Sequence, residues 1–289
     1  MSFSHPEVEA FYDPETGTVT YLVVDPATNH AAVIDPVLDF DPRSAHTATH
    51  SADAVIARIR ARGVTVERLL ETHVHADHLS AMPHVQQAVG GTSAIGARID
   101  AVQQAFRSIF GFERGFHADG SQFDHLFADG ERFRLGSIDA EVLHTPGHTP
   151  ACVSYRIGDA LFVGDTLFMP DSGTARCDFP GGDAATLYRS IRRLLALPAS
   201  TRMFICHDYR PGGRPAAWET TVGEQRAHNI HVHDGIDEAA FVAMRTARDR
   251  TLAMPVLIIP AVQVNIRAGA FPPPDPDGVR YLRVPIDVL

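Results

Sequence analysis

The feature that most constrains this chain is the run His73-Val74-His75-Ala76-Asp77-His78, in which four of six side chains can bind a metal ion. The run directly follows residues 64–72, whose apolar and β-branched side chains predict a strand. Loops at the carboxyl ends of strands are where α/β proteins usually place their ligands. Side chains two apart can face one metal, while the Asp and adjacent His turn toward a second. A metal site is therefore predicted here, rather than a surface loop that happens to be rich in histidine.

Three later positions repeat this placement, because each polar side chain follows a predicted β run. A lone residue of this kind is more often a turn residue or a hydrogen-bonded structural histidine. Together with the first cluster, however, they predict one composite metal centre. The three positions are His148 in Thr145-Pro146-Gly147-His148-Thr149, Asp165 in Phe162-Val163-Gly164-Asp165-Thr166 and His207 in Phe204-Ile205-Cys206-His207-Asp208.

Composition narrows the class of protein. With 289 residues and 45% hydrophobic content the chain can bury a large core. A net charge of -10 counts against binding to nucleic acid or to an anionic membrane surface. The three cysteines form no CxxC pair, which argues against a disulfide framework and fits a reducing compartment. The first residues lack the pattern of a signal peptide and no apolar run is long enough to span a bilayer, so we expect a cytoplasmic protein.

Residue patterns along the chain predict a mixed α/β fold. Two β-rich runs, 19–24 and 31–34, predict a hairpin, and the alternation of helices and strands that follows indicates a partly parallel sheet. The segment 111–127 has no clear period and is predicted to be a long loop near the site. Helices are predicted at 54–62, 79–89, 97–109, 183–197, 218–229 and 237–250, and further strands at 64–72, 92–95, 131–135, 138–143, 153–157, 160–163 and 203–206.

No linker-like or low-complexity run divides the chain, so we predict a single catalytic domain over residues 1–289. The C-terminal part, residues 255–289, carries many prolines, including three in succession at 272–274. We expect this part to pack across the core as an irregular arm, and a partly mobile tail is the alternative.

The order of these polar residues resembles the metallo-β-lactamase superfamily, whose HxHxDH run, later His, bridging Asp and final His match here. The resemblance implies a four-layer αββα sandwich with two mixed β-sheets. Within the superfamily, the chain is similar to the glutathione persulfide dioxygenases, also called sulfur dioxygenases. Where their mitochondrial members read Gly-Arg-Thr-Asp-Phe, Ala175 and Cys177 stand here, which indicates a bacterial branch. The matching blocks, which extend through nearly the whole chain, are residues 71–80, 145–150, 175–179, 206–209 and 264–269.

This narrower resemblance implies one Fe(II) per chain, held by His73, His148 and Asp165. Two imidazoles and one carboxylate on one face of an iron leave positions open for substrate and O₂. The implied reaction oxidises glutathione persulfide with O₂ and water to sulfite and glutathione, as in sulfide detoxification, and the implied assembly is a homodimer. The remaining side chains of the centre would orient the ligands and shape a polar cavity. These are His75, Asp77, His78 and His207.

A dinuclear zinc hydrolase uses the same residues differently. His73, His75, His148 and Asp165 could hold one Zn²⁺, and Asp77, His78 and His207 could hold a second that shares Asp165. The chemistry would then be hydrolysis of a glutathione thioester, as in a glyoxalase II-like enzyme. The ligand inventory alone does not choose between the two. The preference for the dioxygenase depends on the longer matching blocks around Arg176 and Asn265.

Glutathione carries two carboxylates, so an acidic protein that binds it needs local cations. A planar guanidinium suits bidentate binding of a carboxylate. We therefore predict that Arg176, Arg214 and Arg267 bind substrate, with Tyr209 adding a hydroxyl donor and Asp178 orienting Arg176. Cys177 is assigned no role. The histidine-rich stretch 228–233 is predicted to be a solvated turn, because it lacks acidic or Cys partners at metal-site spacing.

Overall fold

The computed structural model describes residues 5–288, which contain fifteen β-strands and seven α-helices. No helix in this range is long and apolar enough to cross a lipid bilayer. The strands are β1 (Glu7–Tyr12), β2 (Val19–Asp25), β3 (His30–Ile34), β4 (Val37–Asp41), β5 (His46–Ala48), β6 (Thr65–Leu70), β7 (Leu79–Ser80), β8 (Thr92–Gly96), β9 (His125–Phe127), β10 (Arg132–Leu135), β11 (Ile138–His144), β12 (Val153–Ile157), β13 (Ala160–Phe162), β14 (Arg202–Phe204) and β15 (Glu219–Thr221). The helices are α1 (His50–Arg62), α2 (Met82–Val89), α3 (Ile99–Phe110), α4 (Ala184–Leu195), α5 (Val222–His228), α6 (Glu238–Asp249) and α7 (Ile258–Asn265).

Two six-stranded sheets and one small three-stranded sheet organise these strands. The first sheet has the order β1-β2-β3-β6-β8-β9, antiparallel through β3 and parallel beyond it. The second runs from β10 to β15 in chain order and is antiparallel except between β13 and β14. The predicted hairpin is the β2–β3 pair. Both large sheets are therefore mixed, as the sequence led us to expect.

Strand β2 shows why the two sheets pack face to face. Its side chains alternate, so that Val19, Tyr21 and Val23 enter the core between the sheets while Leu22 and Val24 face the outer helices. All five are buried, because the sheet is covered on both sides. Burying one side chain of this size contributes about 1.5–3 kcal/mol.

Helices cover the outer face of each sheet. α1, α2, α3 and α7 contribute to the core on the first sheet, while α4, α5 and α6 pack on the second. The molecule is thus the expected four-layer αββα sandwich, with one apolar core between the sheets and one beneath each helix layer.

Three predicted elements differ from the structure. The predicted helix 218–229 begins only at Val222, because the residues before it pair with β14 as strand β15, and the Thr221 side chain caps the helix by accepting from Glu224 N. The predicted helix 79–89 likewise begins at Met82, since Leu79 and Ser80 pair with β4 as strand β7. In the C-terminal part, α7 replaces the start of the expected irregular arm, and its Ala261 and Val264 pack against Leu79.

Strand ends bring the predicted metal-binding residues to one edge of the sandwich. The HxHxDH run follows β6, His148 follows β11, Asp165 lies in a short 3-10 turn after β13, and His207 follows β14. Two glycines allow the close approach of these loops. A Cβ at Gly147 would lie 2.3 Å from the Leu187 backbone, and one at Gly164 would lie 2.6 Å from the Thr72 hydroxyl. Both glycines also have positive φ, which disfavours other residues.

Candidate metal centre

Two imidazoles and one carboxylate converge at this edge. The Nε2 atoms of His73 and His148 lie 3.9 and 3.7 Å from Oδ2 of Asp165. The two rings are nearly perpendicular, with centroids 5.1 Å apart, and all three side chains are buried. One ligand atom from each lies within 4.8 Å of the others. The three predicted primary ligands therefore surround a space of the size that one metal ion needs.

Asp165 also reaches the other part of the cluster. Its Oδ1 lies 3.2 Å from Nε2 of His207, whose Nδ1 lies 3.2 Å from Oδ2 of Asp77. The His78 ring packs 4.1 Å from that of His75, so all seven predicted residues belong to one continuous cluster. The carboxylate of Asp165 is thus placed between the two halves of the cluster.

His75 contacts two carboxylates that were not predicted to belong to the cluster. Its Nε2 lies 3.0 Å from Oδ1 of Asp35 and 3.4 Å from Oε2 of Glu71, and both carboxylates are buried. Burial alone would lower the pKa of His75, but the negative charge of Asp35 raises it well above its usual range. Burial raises the pKa of Glu71 to about 7. Sequence reasoning gave no role to Asp35, although it also follows a strand, β3.

Hydrogen bonds orient the imidazoles so that Nε2 faces the cluster. His148 Nδ1 donates to the carbonyl oxygen of Arg176 at 2.7 Å, and His78 Nδ1 donates to that of Leu79 at 3.1 Å. The Thr72 hydroxyl donates its hydrogen to Asp35. Its oxygen is therefore left to accept a hydrogen bond from His73 Nδ1 at 3.0 Å. Partners of this kind fix the tautomer of a metal-binding histidine.

Several buried polar atoms of the cluster lack a hydrogen bond. A buried polar atom without a partner is costly, and a metal ion would satisfy the atoms here. Some do lie near a charged neighbour, as Asp165 Oδ1 lies near His207, but without hydrogen-bonding geometry. Burial also lowers the pKa of His73, and it lowers that of His78 to about 3, which keeps both imidazoles neutral as metal ligands must be. The donor set therefore fits a metal; the unsatisfied atoms include His75 Nε2, Asp77 Oδ2, His78 Nε2, Asp165 Oδ1 and His207 Nε2.

Asn265 of α7 holds the HxHxDH loop in place. Its Nδ2 donates to the carbonyl oxygens of His75 at 2.9 Å and His78 at 2.8 Å, and its Oδ1 accepts from Ser80 N at 2.8 Å. Asn265 was noticed in the sequence only as part of a matching block. In the structure this block fixes the loop that carries four of the seven residues of the predicted metal centre.

A buried ion pair of α6 holds the loop that contacts His148. Arg245 pairs with Asp249 one helical turn away, and its Nη1 donates to the carbonyl oxygen of Thr174 at 3.0 Å. Asp249 Oδ2 accepts from Cys177 N at 3.0 Å. These contacts position the stretch that includes the Arg176 carbonyl. Sequence reasoning missed the pair, since an Arg and an Asp four residues apart on a helix usually lie on its surface.

A cavity of about 670 Å³ opens onto the cluster. His148, Asp165 and Asp77 line it, together with Phe168 and Phe179. Its size suits a small organic substrate, and the mixture of aromatic walls with a few polar groups is typical of ligand sites. The cavity therefore gives a substrate access to the predicted metal centre.

The predicted substrate-binding residues divide into two groups. Arg176 and Tyr209 line the cavity, whereas Arg214 and Arg267 are absent from its lining. Arg176 binds both carboxylate oxygens of Asp178, at 2.6 and 2.7 Å, in the orienting contact that the sequence suggested. Arg214 instead pairs with Asp171 and Asp208, and Arg267 binds both oxygens of Glu113.

Cys177 and part of the histidine-rich stretch 228–233 are buried. Cys177 is buried beside the apolar residues under α4, and burial raises the pKa of its thiol. The stretch 228–233 is not a fully solvated turn as predicted, because Asn229 and Val232 are buried. His231 Nδ1 accepts from Thr174 N at 3.0 Å, so this stretch supports the cavity wall.

The sandwich and its buried cluster of histidines and carboxylates define a metal-binding enzyme. The chain belongs to the metallo-β-lactamase superfamily, whose sequence profile matches residues 13–207.

Curated relatives carry names of two kinds. A Burkholderia pseudomallei protein named a probable metallo-hydrolase is 53% identical, over 98% of this chain and 99% of its own length. Glyoxylase B2 of Dictyostelium discoideum is 45% identical, over 98% of each chain. Human mitochondrial persulfide dioxygenase ETHE1 is 29% identical, over 91% of this chain and 88% of its own.

Among solved structures, ETHE1 from Myxococcus xanthus superposes with a TM-score of 0.73. It is 29% identical, and the match covers 91% of this chain and all of the other. The similarity to the persulfide dioxygenases that the sequence suggested is therefore supported by the fold as well.

Proposed function

We propose that this protein is a persulfide dioxygenase that holds one Fe(II) with His73, His148 and Asp165. The observation that carries this proposal is the convergence of these three side chains, with Nε2 of His73 and of His148 lying 3.9 and 3.7 Å from Oδ2 of Asp165. Together they are the two-His, one-carboxylate set typical of non-haem iron oxygenases.

The surrounding residues fit an oxidation of glutathione persulfide. Bound iron(II) would supply open coordination positions and redox chemistry through which O₂ reacts with a sulfur anion. His148 and Asp165 line the cavity, so a sulfur at its base lies beside the ligand set. Phe168 and Phe179 give the cavity apolar walls. Overall, one persulfide, one O₂ and one water yield one glutathione, one sulfite and two protons, with the terminal sulfur oxidised and O₂ reduced.

A dinuclear hydrolase of glutathione thioesters is the second candidate. It is favoured by the position of Asp165, whose two oxygens face His148 on one side and His207 on the other. The names of relatives at 45 to 53% identity also point to hydrolysis. In this alternative, His75 would bind a metal through its Nδ1, which is buried without a hydrogen-bond partner, while its Nε2 stays on Asp35.

Metal content and oxygen uptake separate the two candidates. Protein purified without oxygen should contain about one iron per chain, and O₂ uptake should require glutathione persulfide. S-lactoylglutathione, a thioester of glutathione, is the comparison substrate. Its hydrolysis should be much slower than the oxidation of glutathione persulfide. Two tightly bound zinc ions with rapid thioester hydrolysis and no oxygen uptake would contradict the proposal.

A further inference from the structure

Three arginines line the cavity, and only one of them has no carboxylate partner among residues 5–288. Arg176 is bound to Asp178, and Arg245 is buried against Asp249. Arg248 also lines the cavity, is exposed, and has no carboxylate of the described chain within ion-pair distance. Its guanidinium is therefore available to a ligand.

The position of Arg248 directs it to the cavity. It lies three residues after Arg245 on α6, and residues at this spacing share one face of a helix. It also lies in the last turn of α6, where the partial negative charge of the helix end stabilises a cation without an acidic partner. An unpaired arginine is thus tolerated here at little cost in stability.

The charges around the cavity indicate what Arg248 would bind. Glu15, Asp77 and Asp165 also line the cavity and repel anions from their own surroundings. The protein as a whole carries a net charge of -10, which likewise opposes an anionic substrate. A carboxylated ligand therefore needs a local cation, and a guanidinium binds carboxylates with two parallel hydrogen bonds.

From this charge balance we propose that Arg248 binds a carboxylate of the substrate and makes the cavity selective for carboxylated thiols. The inference rests on the proposed function in that the substrate is a glutathione derivative. It assigns the anchoring of the peptide part to α6, whereas the sulfur end lies beside His148 and Asp165, which line the same cavity.

The test compares Arg248→Gln with Arg250→Gln in the iron-loaded enzyme. Arg250 is an exposed neighbour that is absent from the cavity lining, so it controls for a change of net charge. For Arg248→Gln, KM for glutathione persulfide should rise about tenfold with kcat nearly unchanged, since a charge-assisted hydrogen bond is lost. KM for the persulfide of N-acetylcysteamine, which has no carboxylate, should not change. Equal effects on both substrates, or no effect on either, would overturn the inference.

Calorimetric binding of glutathione itself separates this inference from the proposed function, because it needs no turnover. If the wild-type protein consumes no O₂ but Arg248→Gln binds glutathione about tenfold more weakly, the dioxygenase fails and the carboxylate anchor stands. If O₂ uptake is found but glutathione binds equally to both proteins, only the anchor fails.

Discussion

His75 belongs to the metal-binding motif by sequence, yet its imidazole lies against two buried carboxylates. Asp35 accepts from Thr72 N at 2.7 Å and from the Thr72 hydroxyl at 2.8 Å, and it also contacts His75. One carboxylate thereby orients His73 through Thr72 and holds the Nε2 side of the His75 ring. A residue outside the motif therefore fixes the orientation of two of its imidazoles.

Substitution of His207 tests how many metals the centre holds. In His207→Ala, iron should stay near one per chain, because His73, His148 and Asp165 remain intact. In the matched variant His148→Ala, most of the iron should be lost. Metal analysis of protein purified without oxygen measures both, and loss of one of two metal equivalents in His207→Ala would support a dinuclear centre instead.

At the scale of elements, α6 and α7 act on the metal centre from outside the sheets. α7 holds the HxHxDH loop through Asn265, and α6 holds residues 174–177, whose Arg176 carbonyl orients His148. Groups that orient metal ligands are nearly as important as the ligands themselves. The two helices therefore belong to the functional part of the molecule.

Asn265→Ala should weaken metal binding about ten- to a hundredfold, the usual effect of losing a group that orients the ligands. Gln263→Ala is the matched control, since Gln263 is also buried on α7 but bonds to Ile259 and Arg283 rather than to the metal loop. Both variants should lower the midpoint of urea unfolding. Competition with a chelator measures metal affinity, and an equal loss in both variants would show that Asn265 acts only through stability.

At the scale of the whole molecule, Asp25 joins the two sheets at the end opposite the metal centre. Its Oδ2 accepts from the Thr28 hydroxyl and from Ser137 N and Oγ, which link the β2–β3 turn to the β10–β11 turn. Burial alone would raise the pKa of Asp25, but these hydrogen bonds and one from Ala27 hold it well below its usual range.

Asp25→Asn should therefore lower the free energy of unfolding at pH 7 by about 2 kcal/mol. Because the folded pKa lies below the unfolded value of about 3.9, the stabilisation is present above that value and is lost as pH falls toward the folded pKa. The difference between wild type and variant should shrink between pH 4 and pH 3. Urea unfolding measures it, with the exposed Asp139→Asn as the control. An equal difference at pH 7 and pH 3 would disagree with this assignment.

Much of the architecture could be predicted from the sequence, because the polar residues after strands mark one edge of the sheets. That pattern found His73, His148, Asp165 and His207, and it would have found Asp35 after β3 had it been applied there. The ion pairs that neutralise Arg214 and Arg267 could not be predicted, since their partners Asp171 and Glu113 come from loops without a regular pattern. The strand β15 was missed because its pairing with β14 depends on contacts far apart in the chain.

The C-terminal part is another region whose structure could not be predicted fully from the sequence. Its prolines suggested an irregular arm, but Ile258–Asn265 form helix α7, whose buried face packs against the metal-binding half. We propose that residues 1–289 act as one catalytic domain that includes residues 255–289, since Asn265 supports the metal loop.

The ratio of oxygen consumed to sulfite formed tests the central claim most directly. Iron-loaded protein is mixed with glutathione persulfide in an oxygen electrode, and sulfite is measured in the same sample. The dioxygenase predicts one sulfite for each O₂ consumed, and no oxygen uptake when glutathione or S-lactoylglutathione replaces the persulfide. Absence of both oxygen uptake and sulfite with fully iron-loaded protein would contradict it.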